Sequence, residues 1–351
     1  MNCRLTSLCL LVVCVLSLPA TGEDSPLALQ PGYNEGYLTL YFDNDLFGGT
    51  DEDYTNGVRL SWISEAKPLD QLGGFYQLLD GFSDVTRIRG KSSPWVYNTG
   101  VSLTQLMFTP TSTQTALLVE DERPYAGWTG LGFSLHAKNE DEMHQLEVSV
   151  GIVGPNSLAE NSQDFIHSVR DIEKSQGWDN QLEDEFTFNL HYRRTKRMFE
   201  YSLWNDRFEF ESMYRWGADL GNAWINGQAG LWTRFGFNLP NDFSDPKLSP
   251  TAYTNQLFTE QWERINPWSL VFTFAAEGRA VARDIFLDGN TFEDSYSVDN
   301  KHFVADLTGA VGLRYKALNL TYAHTYRTRE YDEQDEGQFF GSLSLGLALT
   351  F

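Results

Sequence analysis

Cysteine is almost missing from this chain: it has Cys3, Cys9 and Cys14 and no others. Nothing after residue 14 can form a disulfide or supply a thiolate. Long apolar runs are missing too. After residue 22 none approaches the ~20 residues that a membrane-spanning helix needs, which excludes a helical membrane protein. Positive charge is scarce: 26 Lys and Arg stand against 48 Asp and Glu, a net charge of −22. That balance argues against a nucleic-acid partner, whose phosphates need cations opposite them. No solenoid or propeller repeat divides the sequence, and no low-complexity linker splits it.

Residues 1–22 carry Arg4, the apolar run Leu8 to Leu18, and the small residues of Pro19-Ala20-Thr21-Gly22. This is the pattern of a secretory signal peptide cleaved after Gly22, and the run is too short to anchor the chain. The remaining 23–351 suffice for one large domain. Aromatic content of 14% with 29 Gly points away from a helical protein.

The C-terminal stretch shows what kind of domain. Gly337, Phe339, Gly341, Leu343, Leu345, Leu347, Leu349 and Phe351 alternate with Phe340, Ser342, Ser344, Gly346, Ala348 and Thr350. One face is apolar and the other small or polar. The same dyad runs through His144 to Ile152 and Phe186 to Tyr192, and through stretches near 97–108, 124–137, 207–220, 224–238, 267–285, 301–315 and 317–328. With the hairpin near 37–62 this predicts an all-β fold, a transmembrane antiparallel β-barrel of about twelve strands with a polar lumen. Many of these stretches have the ~10 residues that a tilted membrane strand requires. Trp62, Tyr125, Trp128, Trp216, Trp224, Trp232, Trp268 and Tyr322 lie near strand ends, as interfacial girdles do. If the N-terminus is periplasmic, strand parity puts 43–54, 109–123, 154–182, 286–300 and 329–337 outside. The long connections 65–96, with a short helix at Leu69 to Leu79, and 239–266 then face the periplasm.

Two outer segments carry candidate chemistry. The first is the hairpin tip, where Asp43-Asn44-Asp45 precedes a Gly48-Gly49 turn with Asp51, Glu52 and Asp53, and the chain returns through Tyr54-Thr55. Carboxylates gathered at a turn suit a hard cation, although such a tip is also what a solvated loop looks like. The EF-hand pattern suggested by Asp43-x-Asp45 and Gly48 fails at Phe47 and Tyr54. The second is the 154–182 loop, whose middle has helical period. Phe165, Val169 and Ile172 share one face, while Gln163, His167 and Asp171 share the other, so the helix is expected to present His167 over the barrel mouth. Histidine is the side chain whose ordinary titration range suits proton abstraction near neutrality.

Taken together, Asn44-Asp45, Asp53-Tyr54-Thr55-Asn56-Gly57, Val153-Gly154-Pro155, Gln163 ahead of His167, and Glu173 after it resemble the lipid A 3′-O-deacylase family of Gram-negative outer membranes. The resemblance implies a calcium-dependent esterase that removes the 3′-linked acyloxyacyl chain from lipid A of lipopolysaccharide, acting as an outer-membrane monomer facing the outer leaflet. It places the essential residues at Asn44, Asp45, Thr55, His167 and Glu173, with Ca2+ at Asp45 and Asn44. Two departures stand out. The family's lysine of the second outer loop has no counterpart in 109–115, and the first cation there is Arg123. On a straight helix Glu173 would lie about 240° from His167, which favours Asp171 as its partner unless the helix breaks. A phospholipase with a Ser–His pair and a porin-like barrel are the competing readings.

Overall fold

The computed structural model describes residues 35–45, 53–68, 95–171, 173–204, 207–254 and 267–350, all within the compact unit 31–351. The segment 1–22 expected as a signal peptide, the Gly48-Gly49 turn, the short helix expected at Leu69 to Leu79, Ile172 and Phe351 lie outside the described residues.

Twelve long strands form the wall: β1 (Glu35–Asn44), β2 (Asp53–Ile63), β4 (Val96–Thr109), β5 (Ala126–Lys138), β6 (Glu142–Val153), β7 (Glu185–Leu203), β8 (Phe208–Gly221), β9 (Trp224–Phe237), β10 (Trp268–Asp284), β11 (Phe303–Tyr315), β12 (Leu318–Arg327) and β13 (Gln338–Thr350). The two-residue β3 (Lys67–Pro68) adds to the edge of β4. Each long strand pairs antiparallel with its neighbours. β13 returns to β1 along a seam running from Glu35 opposite Thr350 to Asn44 opposite Gly341. Closure leaves no open edge, as a strand wall in lipid requires.

The period-2 alternation sets the two faces. Leu38, Leu40, Leu103, Leu131, Phe133, Phe188, Leu231, Phe274 and Leu347 point outward and are exposed. Their alternates Thr39, Ser102, Thr104, Ser134, Glu147, Ser149, Thr308 and Ser344 are buried in the lumen. Three of the expected girdle aromatics belong inside instead. Trp128 and Trp232 are buried in lumen clusters, and Trp224 packs against the first of them. The alternation assigns them there, since Leu131 and Leu231 hold the outward parity of their strands.

The lumen is filled. Residues 238–254, expected as an irregular connection outside the barrel, turn inward and bond to the wall. Tyr41 donates to the Asp245 carbonyl (3.2 Å), Arg59 to Ala252 O (3.3 Å) and Gln145 to Thr251 O (2.8 Å). Asp245 pairs with Arg215, Asp242 with Arg234, and Lys247 with Asp306 (2.7 Å) and Glu277 (3.3 Å). At the other end Tyr54, Leu106, Phe108, Trp128, Leu182, Phe340 and the short helix Ile285–Asp288 close an apolar lid, with Phe108 stacked on Phe286 (4.3 Å). Between plug and lid a cavity of about 140 Å³ remains.

Arg215 is buried against Asp245 and lies 4.1 Å from the Trp232 ring centre. Removing one partner of a buried ion pair strands the other charge, so Asp245→Ala should cost roughly 3–5 kcal/mol of stability. The exposed loop carboxylate Asp335 should tolerate the same change within about 0.5 kcal/mol. Urea unfolding from lipid vesicles, followed by tryptophan fluorescence, compares the two; equal midpoints would remove the plug's ion pairs from the account of stability.

Candidate functional site

The register of the wall places the candidate residues. Asn44 ends β1 on the outward parity set by Leu38 and Leu40, opposite Gly341 on one side and Asn56 on the other. Asn56 is in turn opposite Met107 of β4, and Met107 opposite Gly127 of β5. A single row on the outer wall therefore runs Gly341, Asn44, Asn56, Met107, Gly127. With strands about 4.8 Å apart, Asn44 and Met107 are separated by roughly 10 Å. Asp43 has the opposite parity and takes a hydrogen bond from the Tyr54 hydroxyl (3.4 Å) inside the barrel. Asp45, one residue beyond the strand, is fully buried.

The returning strand is irregular where Thr55 sits. Tyr54 pairs with Phe108 and Asn56 with Met107, which leaves Thr55 as an extra residue in β2. Such a bulge re-aims the chain next to a site. The Thr55 side chain lies outside the described residues, as does the tip 46–52. Gln338 holds this turn from β13 by accepting from Tyr54 N (3.2 Å) and donating to Tyr54 O (3.4 Å).

The loop between β6 and β7 folds back onto the same wall. Ser157 O accepts from Gln105 (2.9 Å) and Thr129 (2.7 Å), both on outward parity. The helix α1 (Ala159–Arg170) follows and packs against β4 and β5. Gly127 permits this approach, because a Cβ there would collide with Ser157 and Ala159. Met107, Tyr125, Ala159 and Trp178 form a cluster outside the wall, while their strand neighbours Leu106, Phe108, Ala126 and Trp128 belong to the lid cluster inside it.

On α1 Gln163 still pairs with His167 and Phe165 with Val169, but the first pair faces the wall and not the barrel mouth, and Asp171, expected beside His167, caps the helix and is exposed. Gln163 and His167 are buried toward the wall, and Phe165 and Val169 are exposed. The burial is locally satisfied: the indole N–H of Trp178 donates to Gln163 Oε1 (2.7 Å), while Gln105 and Thr129 of the wall hold the Ser157 carbonyl just ahead of the helix. The helix stops at Asp171, whose left-handed backbone (φ 57) carries an N–H back to His167 O. It therefore breaks before Glu173, and the chain returns so that His167 Nδ1 meets the Glu173 carbonyl oxygen at 2.7 Å. A carbonyl only accepts, so Nδ1 carries the hydrogen and the neutral ring's lone pair is on Nε2. The partner of His167 is thus the Glu173 main chain. The carboxylates of Glu173 and Asp171 are both exposed.

Electrostatics around the helix are acidic: burial first, then Asp164 and Asp179, raise the Glu160 carboxyl. Arg123 does not serve this wall. It is buried over the Phe108 ring (4.6 Å) and pairs with Glu330 (3.4 Å) on the lumen side. Burial pushes the Glu330 carboxyl up, but Arg327, Arg123 and Arg279 outweigh it and hold it below the usual carboxylate range. Among the described residues no three His, Cys, Asp or Glu side chains gather as a metal cluster. Asp45 and Asn44 offer oxygen donors only, the set that suits a hard divalent cation. Trp178 and Gly127 escape a reading of the sequence. Neither belongs to a spaced motif, and both matter only because the loop folds back.

Two substitutions separate main chain from side chain. Glu173→Gln should leave His167 oriented and any turnover within about twofold, whereas Gly127→Val should displace α1 and lower turnover at least tenfold in a barrel that still migrates as folded on unheated gels. Loss of turnover in Glu173→Gln would return the role to the carboxylate.

A protein-family model described as Outer membrane protein LpxR matches residues 8–349. The solved structure of LpxR from Salmonella typhimurium is similar at a TM-score of 0.70 and 15% identity, over 89% of this chain and 99% of that one. The beta domain of the Bordetella autotransporter Brka gives 0.46 at 10% identity, covering 91% and 100%. The translocator domain of NalP from Neisseria meningitidis gives 0.36 at 9%, covering 92% and 90%. No curated protein matches the chain.

Proposed function

Because the chain belongs to the LpxR family of outer membrane proteins, we propose that it is a calcium-dependent esterase that releases the 3′-linked acyloxyacyl chain of lipid A. The observation that carries this reading is the fixed tautomer of His167. Its Nδ1–H is held by Glu173 O (2.7 Å), so Nε2 is a base, on an outer-wall helix at the same end of the barrel as Asn44 and Asp45. His167 Nε2 removes a proton from water, and the water oxygen attacks the ester carbonyl. When the tetrahedral species collapses, the C–O bond to the sugar breaks and His167 returns the proton to the departing alkoxide. Asp45 and Asn44 would hold calcium, which supplies positive charge to the ester oxygen as negative charge develops there. Asn44 also faces the wall where the lipid lies, and Thr55 holds the water or the substrate. The lipid substrate is lipopolysaccharide of the outer leaflet.

The competing readings fit less well. Ser149, His191 and Asp219 are linked as Ser Oγ to Nε2 (2.9 Å) and Nδ1 to carboxylate (2.7 Å). All three are buried in the lumen beneath the lid, and Arg193 shares the carboxylate (2.9 Å). That arrangement satisfies buried polar groups out of reach of a lipid. A porin needs an open lumen, whereas this one is plugged.

Incubating purified protein with lipid A and calcium, then weighing both products, tests the reaction; intact lipid A beside cleaved phospholipid would replace the proposal. Chelation should abolish turnover and calcium restore it, and full activity in chelator would remove the metal. His167→Gln should lower kcat by about 10²–10⁴-fold, the usual worth of a general base. In planar bilayers the protein should give no steady conductance, and a stable open channel would favour the porin reading.

A further inference from the structure

Helix α1 has three sectors, not two. Taking Ala159 as origin and about 100° per residue, Gln163 and His167 lie near 40° and 80°. Among the described side chains of the helix these three are the buried ones. Glu160, Asp164 and Ser168 follow near 100°, 140° and 180°, a polar flank that is exposed or half-buried. Phe165, Val169 and Ile166 occupy about 240°, 280° and 340°. This last flank is mainly apolar, interrupted only by the half-buried Ser162 near about 300°, and Phe165 and Val169 are 66% and 68% exposed. Leu158, just before the helix, is 58% exposed.

A helix lying over the lumen would have water on both free flanks. This one lies on the outside of β4 and β5, the wall whose next outward residues are Leu103, Leu131 and Phe133, all exposed. Its apolar flank therefore continues the lipid-facing belt of the barrel, and its polar flank faces the opposite way. We propose that α1 is an interfacial helix, seated where acyl chains meet headgroups in the leaflet at this end, with Leu158, Phe165, Ile166 and Val169 in contact with the acyl chains of the membrane. Interfacial helices divide their surface in this manner. The placement deepens the esterase reading and rests on it only for its meaning: a lipid's ester bonds lie at the depth where acyl chain joins headgroup. His167, between the wall sector and the polar flank, is carried at that depth.

The test reads position and not turnover. Single cysteines are placed at 165, 169, 168 and, on the outward strand face, 133, in a full chain whose three N-terminal cysteines are serine. Each is labelled with an environment-sensitive fluorophore and refolded into phosphatidylethanolamine–phosphatidylglycerol vesicles with brominated acyl chains. Folding is checked by migration on unheated gels. The expected result is that labels at 165 and 169 are quenched as strongly as at 133, while the label at 168 is quenched by aqueous iodide instead. Iodide quenching at 165 and 169 would overturn the proposal by placing that flank in water. Protection there from both bromine and iodide would overturn it too, because a second protein would then cover the helix. Failure of lipid A hydrolysis leaves this readout unchanged, so the two proposals fail separately.

Discussion

Charge compensation inside the barrel is the condition on which the rest depends. A strand wall with a polar inner face encloses arginines and carboxylates that water would otherwise solvate, and each must find a partner in a confined space. The 238–254 segment supplies several of them. Asp242 meets Arg234, Asp245 meets Arg215, and Lys247 bridges Asp306 and Glu277. With the lumen occupied by its own chain and covered by the lid around Phe108 and Phe286, the cavity between them among the described residues is about 140 Å³, far smaller than a lipid. Chemistry at this end must then be mounted on the outside of the wall.

The outer wall is able to carry it because one strand pair admits a close neighbour. Gly127 removes a side chain where α1 begins, and Gln105 and Thr129 offer donors where a lipid-facing strand would ordinarily be apolar. Those two residues would be misplaced in contact with acyl chains. Covered by the Ser157 carbonyl, they become the footing for a helix that buries His167 and Gln163. The break at Asp171 then lets the chain double back, and an unremarkable carbonyl does the orienting that a carboxylate was expected to do.

The strands were legible in the sequence because burial on one face of a sheet imposes a period of two, and all twelve expected stretches are strands. The same period would have assigned Trp128, Trp224 and Trp232 to the lumen had it been followed residue by residue; proximity to strand ends is a weaker signal than parity. The plug was not legible, since 238–254 has no period and its order comes from partners on β1, β2, β6, β8, β9, β10 and β11. The amphipathicity of α1 was visible, but not its direction. Which face is buried depends on what the opposing surface offers, and Gln105 and Thr129 become relevant only once the loop is seen lying on them. The reversal of Glu173 has the same origin, a left-handed residue that helical periodicity does not forecast.

The seam between β1 and β13 gives the candidate site a place in time. Asn44 completes its cross-strand pairing with Gly341, so a residue near the start of the chain takes up its geometry only when a segment near the end arrives. Contacts this distant in sequence form late, because the loop they close is long. Before the last strand arrives Asn44 is paired on one side only, with Asn56 of its own hairpin, whereas the β4–β5 wall under α1 is made from contacts close in sequence. The two parts of the candidate site are thus framed by contacts of very different span: local hairpins seat His167, and the longest-range pairing in the sheet completes the surroundings of Asn44.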